Sequence, residues 1–383
     1  MFLHIRRSRL LAILCALLLS MGALSFWISH SRKSHDGTLP TFERIDQICT
    51  ARKTKCFQVV DRVIPSSDEE EIVTRSLELL LPSGSTFTES VVRIRPVKHN
   101  ATFADSDTRL WRVDGDELGE DYSRGMAILP FLTRVFRLGR RKEHKKIAFI
   151  GGGAALLAHL SALRDGIEAI VVEKEKEVAE LSKRWFEVGD APVIVEDGVE
   201  WMRQEGNASQ FDIVFIDACE RQAAQQCPVP PFTKEENVRN LHRMLNNDSR
   251  GQTIRSVTYV GEIFNDQLIH SALVVINFEI YNSHKWEMLH QQMGVLLSIF
   301  PHCVSIDLKE RVNMIVGCLT RPLPFYSTEN PLASLDASMG FIVEQYSESM
   351  QELQYGRIFK EIAVHAIIEG KKQSIVHPAD KET

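Results

Sequence analysis

The sequence predicts an α/β protein: a seven-stranded sheet with an antiparallel last strand, preceded by a small β-rich region and an N-terminal transmembrane helix. Three observations carry this. From Ile147 onward, short and fully apolar runs alternate with helical periods, the signature of a parallel sheet covered on both faces. The runs 303–308 and 313–319 are joined by the tight polar stretch Lys309-Glu310-Arg311, which turns the last strand back on its neighbour. Residues 10–28 are almost uninterruptedly apolar.

That first run contains only Ser20, Gly22 and Ser25 as weakly polar members. About 20 such residues, rising ~1.5 Å each, cross a hydrocarbon layer ~30 Å thick, whereas a secretory apolar core has ~7–15. Phe26 and Trp27 stand where an interfacial aromatic belt lies. His4, Arg6, Arg7 and Arg9 precede the run and Arg32 and Lys33 follow it, a bias that places the N-terminus in the cytoplasm and the body in the lumen. Ala23 and Ser25 also make the small-x-small pattern of a cleaved signal peptide. Anchored and secreted forms both remain open, and both send the body across the membrane.

Residues 29–40 read as a polar stem. Between 42 and 111, strand-like runs at 56–60, 76–81 and 90–95 are separated by turn sequences at Pro65 and Pro82, giving a small antiparallel region. Residues 121–136 have helical spacing with Met126, Leu129 and Leu132 on one face, and 139–146 read as a basic linker. The sheet strands then fall at 147–150, 167–172, 193–195, 211–216 and 273–278. Helices are expected at 154–164, 175–188, 199–204, 233–245 and 286–300, that at 233 opening with a Thr233-x-x-Glu236 capping box. Residues 251–266 read as an insertion. A helix at 335–351 and a polar tail complete the chain.

The composition, 44% hydrophobic and 25% charged over 383 residues, suits a globular body. A formal net charge of −6 gives no basic surface for nucleic acid, and the basic run 137–146 reads as a solvated face. Asn100, Asn207 and Asn247 begin glycosylation sequons. Cys49, Cys56, Cys219, Cys227, Cys303 and Cys318 form three near-neighbour pairs. They read equally as three disulfides in an oxidising compartment or as six thiols. Their spacing is not that of a zinc site, so no metal is expected.

The residues with chemical promise lie at the ends of consecutive strands. Gly151-Gly152-Gly153 follows the first strand and opens a helix, with Ala155 where a third spaced glycine often stands. Glu173 ends the second strand about 20 residues on, where an acid accepts hydrogen bonds from ribose hydroxyls. Asp197-Gly198 ends the third, within reach of an adenine amino group, and Asp217 ends the fourth, facing the crevice where open α/β sheets bind ligands.

Ile150-Gly151-Gly152-Gly153, Val171-Val172-Glu173, Glu196-Asp197-Gly198 and 211–217 resemble the successive motifs of class I S-adenosylmethionine-dependent methyltransferases of the spermidine synthase-like branch. Within it, 121–127, 227–232, Phe300-Pro301-His302 and 313–318 resemble the methyltransferase-like protein 13 family, over roughly residues 110–320. The resemblance implies a Rossmann-like fold, S-adenosylmethionine as cofactor and a homodimer. Gly151 and Gly153 would pass the methionine part, Glu173 the ribose, Asp197 and Gly198 the adenine, and Asp217 would face the acceptor. The expected activity is methyl transfer to an unknown acceptor, a protein amine being one candidate. The alternatives are an aminopropyltransferase, for which Glu220 supplies a partial second acid, and an inactive membrane-anchored binding module. Phe149 stands where kin carry glycine, and its ring either crowds the cofactor or packs in the core. The expected organisation is anchor 1–33, stem and β-rich region 34–115, methyltransferase-like domain 116–325 and C-terminal extension 326–383.

Overall fold

The computed structural model describes residues 41–64, 71–98, 101–205, 210–220, 227–245, 271–279, 283–308, 313–322, 348–349, 353, 362–368 and 371–375. The apolar run 10–28, the sequon asparagines, the insertion 251–266 and nearly all of the expected helix 335–351 lie outside these residues. Among the described residues no helix is long and apolar enough to cross a membrane.

Five strands, β1 (Phe42–Cys49), β2 (Cys56–Ile64), β3 (Ile72–Leu80), β4 (Thr86–Arg95) and β5 (Arg112–Leu118), form an antiparallel meander in sequence order. Its inner face is built by alternation: Phe57 and Val59 from β2, Val73, Leu77 and Leu79 from β3, and Val92 and Ile94 from β4 are all buried in one core. Gly84, at φ +84°, makes the turn between β3 and β4.

The second sheet combines β6 (Lys142–Ile150), β7 (Asp165–Glu173), β8 (Val193–Val195), β9 (Ile213–Ile216), β10 (Leu273–Glu279), β11 (His302–Leu308), β12 (Asn313–Leu319), β13 (Ile362–Ile368) and β14 (Lys371–Ile375). Their order is β14-β13-β11-β12-β10-β9-β6-β7-β8. β6 to β10 pair in parallel, and β12 runs antiparallel between β10 and β11. The central strands β9 and β10 are buried along their whole length, as strands covered on both faces must be. Two expectations are corrected. The basic stretch read as a linker supplies the first half of β6, because its backbone pairs with β7 from Lys142↔Asp165 onward. The tail is not wholly polar: Ile362–Ile368 pairs with β11 and carries β14, so the sheet has nine described strands rather than seven.

Helices α1 (Asp121–Leu132), α2 (Ala154–Leu163), α3 (Lys176–Trp185), α4 (Gly198–Glu205), α5 (Glu235–Leu245) and α6 (Ser283–Ile299) cover this sheet. In α3, Val178, Ala179, Leu181 and Ser182 face inward; in α5, Val238, Leu241, Met244 and Leu245 do so. Thr233 does not cap α5: it belongs to a preceding 3-10 turn and its hydroxyl donates to the Pro230 carbonyl at 3.1 Å. The six cysteines among the described residues are paired, Cys49–Cys56 and Cys303–Cys318 across adjacent strands and Cys219–Cys227 beyond β9.

The two sheets belong to one compact unit, Phe42–Thr383, and α2 joins them. A Cβ on Gly115 of β5 would stand 2.7 Å from that of Ala162, so strand and helix are in direct contact. His159, buried on α2, donates through Nδ1 to the Gly115 carbonyl at 2.7 Å. Desolvation pushes its pKa down to about 4, against the opposing pull of that carbonyl. Folded His159 therefore refuses a proton that the unfolded chain takes below its ordinary pKa of 6.5. Stability is lost as pH falls from 6.5 towards 4, at ~1.4 kcal/mol per pH unit. Urea titrations at pH 7.5 and 5 should show wild type losing ~2 kcal/mol more than His159→Gln, which keeps a donor for Gly115. Equal losses would contradict this reading.

Candidate functional site

The carboxyl ends of β6, β7, β8 and β9 open into one cleft of about 830 Å³. Its opposite wall is the inner face of the first sheet, with Phe57, Leu77 and Leu79 apolar and Glu89 and Ser90 beside them. Lys55 at the start of β2 reaches across to Glu175, before α3, at 2.6 Å.

The first strand end is held by a turn that only glycine fits. Gly151 has φ +77° and donates to the Val172 carbonyl at 2.9 Å. A Cβ there would lie 2.6 Å from the Asp217 carbonyl oxygen, backbone against backbone. Gly152 follows at φ +42°. Gly153 precedes α2 with ordinary φ, but its Cβ would meet that of Phe149 at 2.5 Å. Gly153 thus serves helix-on-strand packing. Phe149 itself is fully buried and stacks on Phe215 at 5.1 Å, so its ring belongs to the core.

Glu173, half-buried at the end of β7, accepts from the Glu175 amide at 2.8 Å and from the amides of Gly152 and Lys174. Burial raises its pKa and the Glu175 carboxylate adds to this, while the three amides oppose. A carboxylate gathered onto the glycine turn in this way keeps lone pairs for a hydroxyl in the cleft.

Asp197 lines the cleft just beyond β8. Its Oδ1 accepts from Val199 and Glu200 amides at 3.0 and 3.4 Å, capping α4, and its Oδ2 pairs with Lys174 at 3.2 Å. Burial would raise its pKa, but Lys174 and these amides outweigh it and lower it. Gly198 is required by crowding: its Cβ would stand 2.4 Å from Ile150 and 3.0 Å from the Phe232 ring. Next to that ring, Asn237 of α5 is 5% exposed and donates to the Pro231 carbonyl at 2.8 Å, while its Oδ1 has no partner. This orphan acceptor on the cleft wall carries no sequence signal, since Asn237 reads as an ordinary first-turn helix residue.

Asp217 follows β9, its amide on the Ile150 carbonyl at 2.9 Å. Its Oδ1 accepts from Asn277 Nδ2 at 2.9 Å; its Oδ2 points towards Gly152, 3.4 Å from where a Cβ would stand. The Cys219 and Cys227 sulfurs lie 3.6 and 3.9 Å from Oδ1. These three side chains cluster as metal ligands do, but the sulfurs are bonded to each other and have no thiolate to offer. The lining as a whole is acidic: Glu89, Glu173, Glu175, Asp197, Glu200, Asp217, Glu220 and Glu236 against Lys55, Lys174, Arg203 and Lys234. Such a cleft raises the local concentration of cations.

No family model and no curated protein matches the sequence. Several solved structures align with the chain. Human methyltransferase-like protein 13, in complex with S-adenosylhomocysteine (SAH), aligns at 15% identity over 58% of this chain and 92% of that one, TM-score 0.42. A probable spermidine synthase from Corynebacterium glutamicum aligns at 15% identity over 79% and 86%, TM-score 0.46. Spermidine synthase from Thermotoga maritima aligns at 14% over 78% and 87%, TM-score 0.40. Each is a likeness of backbone arrangement.

Proposed function

We propose that this chain binds S-adenosylmethionine in the cleft and directs its methyl group to an amine. The observation that carries the reading is convergence: the Gly151 turn, the Glu173 carboxylate and Asp217 all face one cleft at the carboxyl ends of neighbouring parallel strands. Gly151 lets the backbone pass close to the methionine part, and Gly153 supports that turn by seating α2 against β6. Glu173 accepts from ribose hydroxyls. Asp197 and Gly198 border the adenine, and the unpartnered Asn237 Oδ1 is an acceptor suited to its amino group. When bound, the cofactor supplies an electrophilic methyl group. The protein's share is to hold the acceptor nitrogen in line with it and to remove its proton, and Asp217 is the base assigned here. An acidic cleft suits an amine that arrives as a cation.

Glu89, Glu220 and Glu236 in the same lining support aminopropyl transfer as the second reading. The domain boundaries given above, attachment through residues 10–28 and an oxidising compartment belong to the same proposal, and the three disulfides support the last.

The test is calorimetric titration of S-adenosylmethionine and its decarboxylated form into the full chain. Micromolar binding, about −8 kcal/mol, is expected for the first, weakened at least tenfold by Glu173→Ala. Preference for the decarboxylated form would move the assignment to aminopropyl transfer. A folded chain that binds neither at millimolar concentration would end both readings.

A further inference from the structure

We propose that Asn277, held by Asn313, is the positioning residue that aims Asp217 at the reacting end of the cofactor; this rests on the cofactor reading above. β10 pairs with β9 in parallel up to Ile276↔Ile216, so the next residues, Asn277 and Asp217, stand side by side at the strand ends. On the other flank Asn277 pairs with Ile315 of antiparallel β12, and Asn313 lies two residues on, on the same face. The side chains form a chain across three strands. Asn313 Nδ2 donates to Asn277 Oδ1 at 3.0 Å, and Asn277 Nδ2 donates to Asp217 Oδ1 at 2.9 Å.

The direction of this chain matters. An amide has one acceptor end and one donor end, and a donor on Oδ1 obliges Nδ2 to face the carboxylate. Asn277 is fully buried, so the alternative amide orientation would leave two buried donors opposed and two buried acceptors opposed. With Oδ1 fixed, the carboxylate plane is fixed, and Oδ2 is the oxygen turned towards Gly152 and the glycine turn. A polar residue in the otherwise apolar run Leu273–Phe278 is thereby explained: it sets the aim of Asp217.

The experiment compares two cofactor analogues on the full chain. SAH lacks the methyl group, and sinefungin carries a primary ammonium near where the methyl would stand. An aimed Asp217 carboxylate should make the wild type prefer sinefungin about tenfold. Asp217→Asn should abolish the preference, Asn277→Leu should reduce it to near parity, and the double variant should go no further than Asp217→Asn alone. The ratio of the two affinities does not respond to a general loss of stability, which acts on both analogues alike. Asn313→Ala, at a partly exposed position, offers a milder route to the same result should Asn277→Leu fail to fold, and it should lower the preference severalfold. A preference kept in folded Asn277→Leu or Asn313→Ala but lost in Asp217→Asn would overturn the proposal. So would a wild type that binds both analogues equally, although the cofactor site would then stand. A wild type binding neither would overturn the cofactor reading and this inference with it.

Discussion

Asp61→Ala should cost ~3–5 kcal/mol of stability, the loss expected when one member of a buried ion pair is removed. Arg75 is 2% exposed and Asp61 fully buried. The guanidinium gives Nε and Nη2 to the two carboxylate oxygens at 2.8 Å each, Nη2 also to the Thr108 carbonyl at 2.7 Å, and Nη1 to the Trp185 carbonyl at 3.3 Å. It also lies over the Trp185 ring, 5.2 Å from its centroid. Arginine does not shed its proton, so Asp61→Ala leaves a desolvated cation with nothing to neutralise it. Replacing both partners with apolar residues, Asp61→Leu with Arg75→Met, should cost far less, because the pair's attraction is largely offset by its desolvation. Urea unfolding of the wild type and the two variants decides the matter. A single-variant loss under ~1 kcal/mol, or a double variant worse than the single, would refute this account. The effect reaches the cleft, because Asp61 and Arg75 lie on β2 and β3, which also carry Phe57, Leu77 and Leu79, while Trp185 ends α3.

The legible part of this architecture is the part whose physics is local. β9 and β10 announce themselves because a strand covered on both faces has no polar position to spare. α3 and α5 do so through a 3.6-residue apolar stripe. Two misreadings have a common cause. Lys142–Lys146 resembles a linker because charges dominate it, and its place in β6 depends on a register with β7 some 20 residues away in sequence. Ile362–Ile368 is apolar enough to be a strand, but it sits between polar stretches and its partner β11 lies about 60 residues upstream. Neither pairing leaves a trace in the local pattern.

The site divides along the same line. Gly151, Glu173, Asp197 and Asp217 are visible because glycines and acids at successive strand ends are conspicuous against apolar strands. The neighbours that orient them are not. Asn277 and Asn237 are single amides whose importance appears only once β10 is set beside β9, and α5 beside the Phe232 ring. Phe149 shows the converse: beside a glycine turn its bulk looks disruptive in the sequence, and its stacking on Phe215 makes it ordinary core.

Gly151→Ala is expected to damage both stability and cofactor affinity, and Gly189→Ala separates the two causes. Both glycines have positive φ, +77° and +62°, and each alanine pays ~1–2 kcal/mol for that conformation. At Gly189 nothing lies within 4 Å of the added carbon, so the cost should end there, with S-adenosylhomocysteine affinity unchanged. At Gly151 the new carbon stands 2.6 Å from the Asp217 carbonyl oxygen and 3.0 Å from Ala218 Cα. Both contacts are backbone and neither can swing aside, so the glycine turn and the end of β9 must move apart. That separation displaces Asp217 from the turn and breaks the alignment of Gly152 with Glu173, which the Gly152 amide now secures. Affinity for S-adenosylhomocysteine should fall at least a hundredfold, on the order of 3 kcal/mol, beyond any change seen with Gly189→Ala. Paired calorimetric and urea titrations would read both quantities. If Gly151→Ala lost only the stability that Gly189→Ala loses and bound the ligand as wild type does, the close approach of β6 to β9 would have no part in the site. The cofactor would then have to lie elsewhere in the cleft.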